Sequence, residues 1–319
     1  MRFTCIRSDE NVGSPKNFAF MLHMMTALST PIHALGFYCV LFKTPEHMKS
    51  VKWYLLNLHT WVVLFDYSIS LLTMPVLIIP PLSGYPLGLL RIVGVPTVWQ
   101  LLIVMILLAH MFVSIVAVFE NRFYSIFPFQ GKTQWSWMRY VWLAGSLIVC
   151  DAAFIPFAFN IPDQEEAIRN LFDVLPCLPN FVHEAPIFVL AEDWFYHVFV
   201  LCFLILSGSL EVIIFVSLLI WSLLKQVKSM KMSKKTFQMQ KRFFIAIAIQ
   251  MFVPLHMFIL PSFVLFIMLC SNYYNQTYIN LCVILISMHG FVSTCSMIIV
   301  HQPFRKAAFN ICMHNPLRR

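Results

Sequence analysis

Residues 98–119 read VWQLLIVMILLAHMFVSIVAVF, 22 residues without an acid, a Lys or an Arg. A helix needs about 20 apolar residues to cross the hydrocarbon core of a bilayer. The stretch therefore reads as a transmembrane span, placed at about 95–119. Working outward, comparable runs appear at about 17–42 and 53–80 before it. Four more follow at about 139–159, 196–224, 243–269 and 278–300. The composition agrees, with 60% hydrophobic and 11% charged residues and a mean hydropathy of +0.77. In lipid every backbone amide needs an internal partner, which leaves helices or closed barrels. Continuous rather than alternating apolar runs favour helices. The expectation is an all-α membrane protein: residues 1–319 as one seven-helix bundle.

Basic residues gather on one side of these spans. The segments after spans one, three, five and seven hold 17 of the 22 Lys and Arg residues, seven of them between Lys225 and Arg242. Positive residues stay cytoplasmic, so the N-terminus is expected outside and the C-terminus inside. The net charge of +8 is then a topology signal that also suits anionic inner-leaflet lipid, and nucleic acid is not an expected partner. The first apolar run is too long for a cleavable signal peptide and lacks a small-residue cleavage site, so it reads as an uncleaved signal anchor.

The connection 160–195 is the longest and most acidic, with seven Asp or Glu residues against Arg169. Asp163 and Glu166 have capping-box spacing, with Ala167, Ile168, Leu171 and Phe172 at helical spacing behind them. This reads either as a short helix over the mouth of the bundle or as a solvated surface loop. The basic inner loop 225–242 suits an acidic protein partner or the inner leaflet. Residues 303–313 read as an amphipathic helix, with Phe304, Ala308 and Ile311 on one face and Cys312 as a palmitoylation candidate. Among nine cysteines, Cys5, Cys177 and Cys270 fall in or near the outer space; one bridge from Cys177 is open, its partner unreadable. Asn275 heads an N-glycosylation sequon, too close to span seven to be an expected site of use.

Ionisable residues inside spans cost at least about 2.5–3.5 kcal/mol at mid-depth, so each needs a reason. Asp66, Asp151 and Glu211 qualify, and none has a Lys or Arg partner within the spans. Each reads as a ligand contact, a switch that changes partners, or a hydrogen-bonded knot between helices; Asp151 favours the knot and Glu211 function. Span histidines lack the i, i+4 pairing with a carboxylate that a metal or hydrolase site needs, and no nucleophile elbow or phosphate loop is present. No metal, cofactor or enzyme activity is expected. Pro254 and Pro261 in span six, and Pro75 and Pro80 in span two, read as kinks.

A set of short motifs adds a resemblance. Lys43-Thr44-Pro45 and Lys52-Trp53-Tyr54 through His59 lead into span two; Tyr85-Pro86-Leu87-Gly88 and Pro96-Thr97 precede span three. Glu120-Asn121-Arg122-Phe123-Tyr124 closes it, and Leu175-Pro176-Cys177-Leu178-Pro179 sits in the outer loop. Gln240-Lys241, Gln250, Pro254, Pro261, Tyr274-Asn275-Gln276, His289-Gly290, Ser293-Thr294 and His301-Gln302-Pro303-Phe304-Arg305 complete the series. Together they resemble the nematode serpentine receptors of class H, within the Str group of chemosensory receptors, over about 18–309.

The resemblance implies a G-protein-coupled chemoreceptor in the plasma membrane of sensory cilia, with a small-molecule ligand and a heterotrimeric G protein as partners. It leaves pairing with a second receptor open. Arg122 resembles the arginine that closes span three in rhodopsin-like receptors, with Asn121 in the acid's place and Glu120 as its pairing candidate. Glu120, Asn121, Arg122, Lys241 and Arg242 form the expected coupling face. The ligand set, an aromatic cavity suited to a volatile or lipid-like molecule, is Trp99, Gln100, His197, Glu211, His256, Met257, Tyr278 and His289. Asp66, Pro254 and His289 are the switch candidates. Span seven has no Asn-Pro-x-x-Tyr and span six no Trp-x-Pro, so rhodopsin-like switch details do not carry over. The rivals are a ligand-gated channel of inverted topology, a transporter and a non-signalling homologue.

Overall fold

A computed structural model describes residues 4–5, 13–127, 129–176, 178–228 and 233–313. Cys177, from which a disulfide was open, and Lys231 of the basic loop lie outside them, as do the side chains of Cys5 and Cys312. Among the described residues, seven helices are long and apolar enough to cross a membrane. They are α1 (Pro15–Phe42), α2 (Lys49–Tyr67), α3 (Thr97–Ile126), α4 (Lys132–Phe159), α5 (Phe195–Lys228), α6 (Lys234–Cys270) and α7 (Gln276–Ser287, resumed after Met288 as His289–Val300). The chain is a multi-pass membrane protein.

Local chemistry sets several boundaries. Pro15 occupies the first turn of α1, where its missing N–H is no loss. The Ser233 hydroxyl accepts from the Thr236 N–H at the start of α6, and Asn275 Oδ1 accepts from the Tyr278 N–H at the start of α7. Asn275, the sequon residue, is thus a buried helix cap. Pro254 and Pro261 both lie inside α6.

The second span differs from expectation. Helix α2 widens into a π-type turn over Ser68–Thr73 and stops at Met74, which adopts a left-handed conformation with φ 45°. Thr26 of α1 donates to Ser70 Oγ at 2.9 Å beside this turn, and the Thr73 hydroxyl takes up the Ser68 carbonyl at 2.7 Å. Pro75 and Pro80 are therefore not helix kinks. Pro75–Ile78 is strand β1, antiparallel to β2 (Leu82–Pro86), with Val76 opposite Tyr85 and Leu77 opposite Gly84. The apolar run through Ile79 suits a buried helix and a buried strand equally, and composition does not separate them.

The acidic connection completes this layer. Asp163 accepts from the Glu166 N–H and starts the short helix Gln164–Val174. Strand β3 (Phe188–Ala191) then joins β2 antiparallel. Leu171, Leu175, Leu178 and Val182 pack with Ile78, Ile79, Met268, Leu269, Tyr274 and Ile279 in an apolar cluster of their own. Sheet and helix together cover one end of the bundle, called the hairpin end below. The opposite end, where α5 ends at Lys228 and α6 begins at Lys234, is the basic end.

At the basic end the helix Gln302–Met313 follows α7. Phe304 and Ala307 are buried, whereas Ile311, expected on the same face, is exposed along with Phe309. Cys270, a disulfide candidate, carries a free, exposed thiol at the end of α6.

Candidate functional site

Buried polar centres and cavities organise the bundle. The first centre lies among α1, α2 and α7. His33 Nε2 is 2.8 Å from Asp66 Oδ2, and His33 Nδ1 is 2.9 Å from Thr294 Oγ1. Thr294 donates its own proton to the Gly290 carbonyl at 2.9 Å, so it must accept from His33 Nδ1–H. The His33–Asp66 contact then holds one shared proton, and the pair is neutral overall wherever that proton sits. His59 Nε2–H donates to the His33 carbonyl at 3.2 Å. Two glycines permit this closeness. A Cβ on Gly290 would stand 2.8 Å from Asp66 Cβ and Cγ, and one on Gly36 2.7 Å from His59 Nε2.

The sequence pointed to Asp66 but sought only Lys or Arg partners. Its partner is a histidine, and so is that of Asp151, which His110 of α3 meets at 3.1 Å. Asp151 is thus a knot between α4 and α3. His33, His59 and Thr294 were missed as site residues; polarity at mid-span was the signal that could have found them.

The second centre lies at the basic end. Arg139 Nη2 meets Glu120 Oε2 at 2.5 Å, Tyr54 Oη at 3.0 Å and Asn121 Oδ1 at 3.1 Å. The other Glu120 oxygen accepts from Trp135 Nε1–H at 2.8 Å. Asn121 Nδ2 donates to the Ser50 carbonyl on α2 at 3.0 Å. The Arg139 guanidinium lies 4.4 Å from the Tyr124 ring centroid, as cation–π attraction favours. This corrects the expected pairing: Glu120 binds Arg139 of α4, not Arg122. Arg139, one of the basic residues counted after span three, is almost fully buried.

Arg122 is buried at the same end. Close by, His301 Nε2 shares a 2.9 Å hydrogen bond with Gln250 Oε1, tying the end of α7 to α6. Burial, helped by the positive charge of Arg122, holds the His301 imidazole down to about 4. Lys241 and Arg242 are exposed on the first turns of α6.

The ligand candidates do not converge. Trp99 and Tyr278 are exposed on the outside of the bundle, as is His256, whose ring bonds the Phe252 carbonyl of its own helix. Gln100 is buried but donates to the Val95 carbonyl, bracing the start of α3. His197 packs against the Phe157 ring at 4.4 Å, and Met257 is half-buried. Two candidates, His289 and Glu211, line two different cavities. His289 and Pro254 line a central void of about 20 Å³ beside Met111, Phe258 and Ser293. Glu211 lines a larger cavity of about 250 Å³ between α3, α4 and α5, with Ala109, Val116, Cys150, Phe154 and Gly208 among its walls. Among the described residues, no group of three His, Cys, Asp or Glu side chains could hold a metal ion.

With this geometry in place, the comparisons with known proteins are specific. A family model described as "Serpentine type 7TM GPCR chemoreceptor Srh" matches residues 13–314. The chain is also similar to serpentine receptor class H-72 of Caenorhabditis elegans, 28% identical over 295 residues that cover 92% of this chain and 84% of that protein.

Proposed function

The chain belongs to the Srh family of serpentine seven-helix chemoreceptors, and on that premise we propose that it binds a small environmental molecule and activates a heterotrimeric G protein. Its basic end faces the cytosol, its N-terminus lies outside, and it works in the plasma membrane of sensory cilia. The family is one of chemosensory receptors rather than enzymes.

The observation that carries this reading is the closure of the basic end around Arg122. Gln250 on α6 and His301 beyond α7 hold each other at 2.9 Å. The Glu120–Arg139 pair meanwhile fixes α3 to α4 and α2. That end is thus fastened by a buried ion pair between α3 and α4 and by a neutral hydrogen bond between α6 and the end of α7. A ligand that binds an open arrangement better than the closed one shifts the population toward it. Parting α6 from α7 would then expose Arg122 to a Gα subunit, with Lys241 and Arg242 at the rim.

The test is energy transfer between the receptor and a panel of Gα classes during odorant exposure. The wild type is expected to respond through at least one class. Arg122→Ala is expected to lose that response with surface expression intact. Unchanged signalling in Arg122→Ala, or no response from any class, would count against the proposal.

A further inference from the structure

The larger cavity has a wall, an opening and a single acid. Its wall is α3, where Ala109 and Val116 are buried. Its rim is apolar surface on the neighbouring helices: Val149 of α4 is 61% exposed and Phe203 of α5 is 57% exposed. Helices α4 and α5 both pack along α3 but hardly touch one another, so the cavity opens sideways between them. In a membrane-spanning bundle that side is the lipid. The hairpin end, by contrast, is covered by the three-stranded sheet and its apolar cluster.

Glu211 stands midway along α5 and lines this cavity. Among the described residues no hydrogen bond or ion pair reaches its carboxyl group. The two nearby hydroxyls offer nothing in its place, since Ser146 donates to the Trp142 carbonyl and Ser207 to the Leu204 carbonyl of their own helices. An intramembrane acid left this way is costly unless something pairs with it. An ammonium head brings three donors and the complementary charge. The volume, about 250 Å³, exceeds the roughly 150 Å³ that accepts benzene and falls below the pockets of drug-sized ligands, about 300–1,000 Å³.

We infer that this cavity is the ligand site of the proposed receptor, taking a small amphiphilic amine that enters from the bilayer between α4 and α5 and places its nitrogen on Glu211. The inference rests on the chemoreceptor reading and adds the ligand's chemical class and route.

The test uses the full chain in lipid nanodiscs with labelled n-hexylamine as probe and n-hexanol as its uncharged counterpart. The amine should bind saturably, with the alcohol weaker by about tenfold or more, and Glu211→Gln should lose amine binding by a similar factor. Gly208→Leu should block binding with little change in melting temperature, because a Cβ there meets nothing within 4 Å. Competition by a long-chain lipid amine would show that the membrane's own amines reach the site; competition by short amines alone would assign a ligand that fits wholly inside. Both support the site. No saturable binding, equal binding of alcohol and amine, or full binding in Glu211→Gln or Gly208→Leu would overturn it. Binding is read without a G protein. A receptor that binds hexylamine yet never couples would therefore count against the signalling proposal and leave this one standing.

Discussion

His33 on α1 and Asp66 on α2 meet at 2.8 Å with side chains only 2% and 1% exposed, and Thr294 of α7 holds the far side of the same imidazole. Two consecutive helices and the last one are joined through one ring. A buried polar group that loses its partner costs about 1–3 kcal/mol. Asp66→Ala and His33→Ala should each destabilise the receptor by that amount, and the double variant by less than the sum, measured by thermal melting in nanodiscs. Gly290→Leu should be as damaging, since its side chain must enter the space of Asp66. Additive effects in the double variant would show that the two residues are not coupled.

At the basic end, the two arginines near Glu120 should behave oppositely. Removing Arg139 strands a fully buried carboxylate, which costs about 3–5 kcal/mol, so Arg139→Ala should reach the cell surface poorly. Arg139→Lys should rescue it only in part, because a lysine cannot reproduce the flat, multiply bonded guanidinium between Tyr54, Asn121 and Glu120. Arg122→Ala should reach the surface normally. Surface staining of the three variants separates these outcomes.

Replacing Gln250 or His301 removes the tie between α6 and the end of α7. A hydrogen bond is worth about 0.5–1.5 kcal/mol, which as a population shift raises ligand-free coupling by about two- to tenfold. Gln250→Leu and His301→Ala should both show that rise in basal G-protein activation. A fall in both would mean that the tie belongs to the active arrangement instead.

His301 also sets a pH dependence. Its folded value of about 4 lies below the ordinary histidine value near 6.5. The neutral imidazole is therefore the buried form. Its contribution to stability is intact above about 6.5 and is lost as pH falls from 6.5 toward 4. Melting temperature should drop across that window, and His301→Asn should flatten part of the slope. An unchanged slope in the variant would assign the drop to other groups.

Much of this architecture was legible in the chain. Spans of the length of 98–119 announce helices because lipid leaves the backbone few other choices. The short helix after Asp163 was legible because its cap and apolar spacing are local. The hairpin was not, since Pro75–Ile79 is apolar in either conformation and only the turn at Met74 decides. The polar centres were half legible. Asp66 and Glu120 stood out as acids, but their partners come from other helices, and no local pattern relates residue 33 to residue 294. Arg139 was hidden because its partners Tyr54, Glu120, Asn121 and Tyr124 come from α2 and α3, not from its own helix.

The signalling account depends most on which side of the membrane the basic end occupies. The direct measurement places one epitope tag at Met1 and another within 225–242, and compares antibody access in intact and permeabilised cells. The account predicts staining of the Met1 tag in intact cells and of the loop tag only after permeabilisation. Staining of the loop in intact cells, with Met1 protected, would contradict it, because Arg122, Lys241 and Arg242 would then face away from any G protein.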